Sequence, residues 1–222
     1  VIHLYPPLNV SIETPRLKLL GATDDLLYRL LPAVRAGVVS PEESPFDDPM
    51  SLYAESPERE HRWLRGIWAG RGVVSPNFWR LYFVVMVDNE LVGMQDLVGV
   101  DFASYGTVAS FSWLKPDIRA HGLGTEMRAA ILHLAFAGLG AREASSEGFL
   151  DNHASNRVSA KSGYQPNGLA WASRRGQAAQ MQRWVLPRAV WEETQRDDIS
   201  MSGIDECRET FLEAGAIAAT LQ

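Results

Sequence analysis

The chain has 222 residues, 46% of them hydrophobic and 22% charged, with a formal net charge of −6. That size and composition suit one large globular domain with a substantial core, and the acidic balance argues against nucleic acid as a partner, because nothing supplies a broad basic face. No apolar run reaches the ~20 residues of a membrane span, no signal-peptide pattern precedes Ser11, and Cys207 is the only cysteine, so a reducing cytoplasm without a membrane partner is the expected setting.

Arg16 to Leu20 reads as a strand. Thr23 or Asp24 caps a helix whose apolar stripe runs through Leu26, Leu27, Leu30, Leu31 and Val34. Ser40 to Ser56 is punctuated by Pro41, Pro45 and Pro49 and carries Glu42, Glu43, Asp47 and Asp48, which predicts a long irregular loop. Pro57 then opens a second helix containing Trp63, Leu64, Ile67 and Trp68; Trp63, Trp68 and Trp79 are expected in the core. Phe78 to Val87 is rich in aromatic and β-branched residues and reads as a buried strand. Asp88-Asn89-Glu90 supplies turn chemistry, and Leu91 to Val100 returns as the hairpin partner. Thr107 to Leu114 is the next strand, ended by Pro116.

Leu123 to Leu139 has helical periodicity. Its apolar surface is wider than one stripe, which predicts burial against a sheet. Glu143 to Leu150 reads as a strand, Ala154 to Lys161 as a short helix ending at Gly163, and Ala170–Arg174 and Met181–Leu186 as closing strands. Beyond Trp191 the chain turns acidic; Asp198 to Ile204 suggests a short strand and Asp205 a cap for a helix through Phe211 and Leu212. The organisation expected is an α/β domain over residues 1–191 with an acidic extension, 192–222, packed on it.

The stretch with most chemical content is Arg119-Ala120-His121-Gly122-Leu123-Gly124-Thr125. A strand, a short glycine loop and a helix N-terminus form an anion site: glycine lets backbone approach closely, the first helical N–H groups lack partners, and the helix dipole adds about half a positive charge. The spacing is neither G-x-x-x-x-G-K-[ST] nor G-x-G-x-x-G, which removes the two commonest nucleotide loops.

What remains resembles the coenzyme A pyrophosphate loop of the GNAT acyltransferases, [RQ]-x-x-G-x-[GA]. Asn152 and Ser155, followed by Lys161, Gly163 and Tyr164, match the N-x-x-S-x-x-x-x-x-K-x-G-[FY] signature of that family's RimJ/RimL-like branch. Glu13-Thr14-Pro15-Arg16-Leu17-Lys18-Leu19 is similar to its first strand, E-T-x-R-L-x-L. The resemblance spans residues 12–190. It implies a mixed, largely antiparallel sheet of about seven strands flanked by helices. That sheet would split between its fourth and fifth strands, here Thr107–Leu114 and Glu143–Leu150. Acetyl-CoA, or succinyl-CoA as in some members of the branch, is implied as co-substrate, with a small-molecule or peptide primary amine as acceptor. No metal is implied, and no His, Asp, Glu and Cys spacing suggests one. A homodimer is compatible with the resemblance.

Carried onto this chain, the resemblance assigns the pyrophosphate to the amides of Arg119, Ala120, His121, Gly122, Leu123, Gly124 and Thr125, with the Arg119 side chain as a phosphate contact. The pantetheine arm would add to the open strand at Trp113 and Leu114, and Asn152 would bond its amides. Acyl transfer to an amine needs a neutral nucleophile, a donor for the oxyanion and a proton for the departing thiolate. The backbone N–H near Trp113 or Leu114 is the expected oxyanion donor. Ser155 is the expected acid, the alternative being that it only caps its helix. Tyr164 follows Gly163, where a packed Phe is usual, and is expected to be structural. Many relatives carry a Glu on the strand before the glycine loop; Ala109-Ser110-Phe111-Ser112 has no carboxylate. Asp101, Glu147, Asp151 or water then takes the proton, or the chain is a silent acyl-CoA-binding module. Phe46, Glu43 and Asp47 are expected at the acceptor pocket, against the alternative of a solvated acidic cluster. Cys207 lies outside the motifs, so transfer is expected within a direct ternary complex.

Overall fold

The computed structural model describes residues 3–39, 45–47, 52–75 and 77–208. Among them, ten strands form one sheet. Ser11–Glu13 (β1) and Lys18–Gly21 (β2) pair antiparallel, Ile12 opposite Leu19. The strand expected over Arg16–Leu20 is present as β2, starting two residues later, because a corner precedes it: the Thr14 amide donates to the Leu17 carbonyl at 2.9 Å, and Pro15 and Arg16 form the bend. Ile12 and Leu17 are both buried yet an odd number of residues apart, which one extended strand cannot deliver to one face.

Helix α1 (Asp24–Ala36) starts as its sequence asks. The Thr23 hydroxyl accepts the Leu26 amide at 3.3 Å, and Asp24 and Asp25 sit at the positive end of the dipole. Its buried residues are Leu27, Leu30 and Val34. They pack with Trp63, Leu64 and Ile67 of α2 (Glu58–Gly72) on one face of the sheet. Trp68 departs from expectation: it is 41% exposed, and its indole N–H donates to Asp24.

Strands β3 (Phe78–Val87) and β4 (Glu90–Val100) form the predicted hairpin. Asp88 and Asn89 both take positive φ, the conformation a two-residue hairpin turn demands. After the short helix α3 (Phe102–Tyr105) come β5 (Thr107–Ala109) and β6 (Ser112–Leu114), both antiparallel to β4. Helix α4 (Leu123–His133), continued by a π turn over Leu134–Gly138, buries Met127, Ala130 and Ile131 against the opposite sheet face, where Leu81, Phe83 and Val85 lie. Strand β7 (Glu143–Phe149), helix α5 (His153–Lys161) and the hairpin β8 (Gln165–Arg174) and β9 (Gln177–Pro187) follow.

The sheet order is β10-β1-β2-β3-β4-β5-β7-β9-β8, and β6 pairs with β4. Among the described strands only β5 and β7 are parallel, from Thr107 opposite Glu143 to Ala109 opposite Ser145. Beyond that point β6 stays with β4 while β7 stays with β9, so the sheet splits between them. Helix α6 (Arg188–Glu193) buries Trp191. Ser200–Ser202 (β10) then pairs with β1, inside the strand expected from Asp198 to Ile204. Asp205 lies within helix α7 (Ile204–Arg208) rather than capping it; Phe211 and Leu212 lie outside the described residues. No described helix is long and apolar enough to cross a membrane.

Candidate functional site

The candidate site is the split, and one diverted hydrogen bond in the β4 ladder lies beside it. Residues 107–114 were expected as one strand, but the pairing lapses at Ser110 and Phe111 with no residue inserted. The cause is on the neighbouring strand. The Asp96 carboxylate takes the Phe111 N–H at 2.6 Å, and Gln95 Nε2 donates to the carbonyls of Phe111 (3.2 Å) and Asp96 (3.0 Å). Asp96 is buried and also paired with Arg80. Burial pushes its carboxyl above the ordinary carboxylate range, and Arg80 and the Phe111 amide offset that only in part.

Within the lapse the Asp96 amide still donates to the Phe111 carbonyl at 3.0 Å, and beyond β6 the Lys115 amide donates to the Val92 carbonyl at 2.8 Å. With Met94 opposite Trp113, antiparallel alternation turns the Trp113 N–H and carbonyl toward Met94. The expected oxyanion donor at Trp113 is thus spent inside the sheet. Ser112 and Leu114 are the residues whose amides turn to the split. The Leu114 carbonyl is occupied by the Arg119 guanidinium, at 2.9 Å from Nε and 2.6 Å from Nη2, and Arg119 also donates to the Val38 carbonyl. Arg119 was expected on phosphate; it instead ties the end of β6 to the chain that follows α1.

The glycine loop follows. The Arg119 amide donates to Pro116 and the Thr125 amide to Gly122, so these two leave the expected cradle. Among the described residues, the amides of Ala120, His121, Gly122, Leu123 and Gly124 donate to no protein group. Ala120 has φ 68° and Gly122 φ 80°. Holding a non-glycine residue such as Ala120 there costs about 1 kcal/mol. The number of unspent amides, their proximity to a helix N-terminus and the lack of an internal acceptor fit a diphosphate.

Across the split, the Asn152 side chain caps α5: its Oδ1 accepts the Ser155 amide at 3.1 Å, and its Nδ2 donates to the Pro45 carbonyl at 2.9 Å. Asn152, expected on pantetheine, therefore joins the helix to the 45–47 segment. Ser155 is not the cap. Its Oγ stands 3.4 Å from where a Cβ on Gly148 of β7 would be, and among the described residues it has no hydrogen-bond partner. Phe46 meets Phe111 edge-on at 5.3 Å and stacks on Tyr53 at 5.1 Å. The Asp47 carboxylate accepts the Arg175 amide at 3.1 Å. Glu43, with Glu42 and Asp48, lies outside the described residues.

Residues 32–165, more than half of the chain, match the family model of the acetyltransferase (GNAT) domain. The chain belongs to the GNAT acetyltransferase family. Solved structures similar in fold include a GCN5-related N-acetyltransferase from Brucella melitensis, at 18% identity over 82% of this chain and 80% of that one, with a TM-score of 0.61. RimL, a ribosomal L7/L12 alpha-N-protein acetyltransferase solved with coenzyme A, is similar at 17% identity over 78% and 95% of the two chains, TM-score 0.61. The microcin C7 self immunity acetyltransferase MccE, solved with acetyl-CoA and AMP, is similar at 11% identity over 78% and 93%, TM-score 0.62.

Within this GNAT chain the candidate proton acceptors separate by place. Asp101 follows Val100 at the closed end, where β5 and β7 still pair. Asp151 is held by Arg174 at 2.7 and 2.9 Å; those bonds keep its carboxyl below the usual range and make it a poor base at neutral pH. Glu147 lies on β7 beyond the last residue paired with β5, opposite Arg183 of β9, half exposed and 3.4 Å from the Arg183 side chain. Tyr164 is buried, its hydroxyl pushed up by burial, under the Arg128 guanidinium. Cys207 is buried far along the chain and its thiol is pushed up to about 12, so it presents no thiolate for an acyl-enzyme. The sequence reading missed Asp96 and Arg80, because no spacing in the chain links a β4 carboxylate to the amide it intercepts on β6.

Proposed function

We propose that the chain transfers an acetyl group from acetyl-CoA to a primary amine within a ternary complex. The observation carrying this reading is the row of unspent amides at the start of α4, beside a strand whose sheet is split, in a GNAT chain. The loop 120–124 would hold the pyrophosphate, and the Ser112 and Leu114 backbone would receive the pantetheine as an added strand. The Ser112 and Leu114 N–H groups, rather than that of Trp113, are then the donors available to the oxyanion. The new bond joins amine nitrogen to acyl carbon, the C–S bond breaks, and the Ser155 hydroxyl passes a proton to the thiolate while taking one from water, so that it ends as the hydroxyl again. Glu147 or water accepts the proton lost by the amine.

Phe46 and Phe111 give the acceptor end an apolar wall. Asp47, spent in part on Arg175, is a weaker attractor for a cationic amine than its charge alone suggests. Peptide N-termini and small amines both suit such an end. The test is release of free thiol from acetyl-CoA, and in parallel from succinyl-CoA, over a panel of peptide and small-molecule amines. Turnover with at least one amine is the expected result. Tight coenzyme A binding with no turnover across the panel overturns the transferase reading and leaves a binding module; faster turnover of succinyl-CoA overturns the choice of donor.

A further inference from the structure

The corner between β1 and β2 reaches the glycine loop through the Arg16 side chain. Glu126, in the first turn of α4, is buried at 5% exposure. Its Oε1 accepts the Thr14 hydroxyl at 2.7 Å and the Arg16 amide at 3.2 Å, and its Oε2 pairs with Arg16 Nε. Burial alone would raise this carboxyl; the bonds from Thr14 and Arg16 outweigh it and hold the group below the usual range, ionised. Glu126 thus fixes the plane of the Arg16 guanidinium.

The other side of that plane faces the loop. Arg16 Nη1 donates to the His121 carbonyl at 3.0 Å, and Nη2 lies 3.5 Å from where a Cβ on Gly122 would stand. Among the described residues Nη2 has no acceptor, and the side chain is about half exposed (49%). A guanidinium oriented on one edge by a buried carboxylate, with free N–H groups over a row of unspent amides, is preset for a bidentate contact with a phosphate oxygen pair. Arg119, by contrast, is engaged with the carbonyls of Leu114 and Val38.

We propose that Arg16 is a phosphate-binding residue of the coenzyme A site, oriented by Glu126 and Thr14. This rests on the coenzyme A reading above. It gives the Thr14–Arg16 segment a function in donor binding that lies over a hundred residues from the loop it serves.

The test compares the wild-type protein with Arg16→Met and Arg16→Lys by calorimetry with coenzyme A at two salt concentrations, and by kinetics with acetyl-CoA and S-acetylpantetheine, which has no phosphate. Arg16→Met is expected to weaken coenzyme A about tenfold and to flatten the salt dependence, since one charge contact is gone. Arg16→Lys keeps the charge but not the fork and is expected to fall between. kcat/KM for S-acetylpantetheine should be unchanged in both. If Arg16→Met does not fold, the lysine variant carries the test alone. Unchanged coenzyme A affinity in a folded variant overturns the proposal, and so does an equal loss with S-acetylpantetheine, which marks a purely structural role. A wild-type protein that binds no coenzyme A overturns the donor reading instead.

Discussion

The two ends of the split are held together by different kinds of bond. At the proposed donor end the loop itself is consecutive main chain: a short turn, Ala120 and Gly122 in the left-handed region, and the opening of α4, with the Arg16 guanidinium the part brought to it from a distant segment. At the acceptor end nothing is consecutive. Phe46 leans on Phe111, Asn152 holds Pro45, and the Arg175 amide reaches Asp47 across 128 residues. A proposed donor loop built mostly from backbone suits a ligand whose phosphates never vary. An acceptor site built from converging side chains changes with each of them, and that is where members of one fold diverge.

The comparison breaks most sharply at Asp96, the side chain that opens the ladder between the two ends. Asp96→Ala leaves the Phe111 amide and the Arg80 guanidinium without their carboxylate. Breaking a buried pair in this way costs about 3–5 kcal/mol; Arg80 keeps some access to water, which puts the loss near the lower figure. Asp96→Asn retains an acceptor for the Phe111 N–H and should cost less. Urea melts of both variants check the order. If Asp96→Ala melts like the wild type, the ladder does not depend on the carboxylate.

Gly122→Asp acts at the other end and should separate binding from stability. It places a carboxylate against the unspent amides and near Arg16 Nη2, where it competes as a built-in anion. Aspartate tolerates positive φ at a cost of about 1 kcal/mol, so the fold should survive. Coenzyme A affinity is expected to drop at least tenfold, about 1.4 kcal/mol. Calorimetry on a folded variant with unchanged affinity removes the loop from the donor site.

What was legible in the sequence follows the same division. The glycine loop, the β3–β4 hairpin with its Asp88-Asn89 turn and the Thr23 cap are local, and local rules reach them. The corner at Thr14–Arg16 was missed although Pro15 and the odd spacing of Ile12 and Leu17 signal it. The lapse at Ser110–Phe111 had no local signal, because its cause sits on β4. Arg119 is a third case: the motif placed the residue at the loop, but the direction of an arginine side chain is set by which carbonyls lie within reach, here those of Leu114 and Val38. The fold was thus readable from periodicity and turns, while the side-chain half of the site was not.

Ser155 stands between the two ends and gives the smallest and most discriminating effect. Asn152 already caps α5 and accepts the Ser155 amide, so removing the hydroxyl leaves the cap intact. Ser155→Ala should therefore cost well under the ~1 kcal/mol of a lost cap. If the hydroxyl protonates the departing thiolate, its contribution exists only as the C–S bond breaks, and kcat falls with coenzyme A affinity unchanged. Water can enter an open split and replace it in part, so the expected fall is severalfold, under about tenfold, rather than the hundredfold or more of an isolated general acid. Melting temperature, coenzyme A affinity and kcat are measured on one preparation. A variant with normal melting and normal kcat takes Ser155 off the reaction path and leaves the thiolate to water.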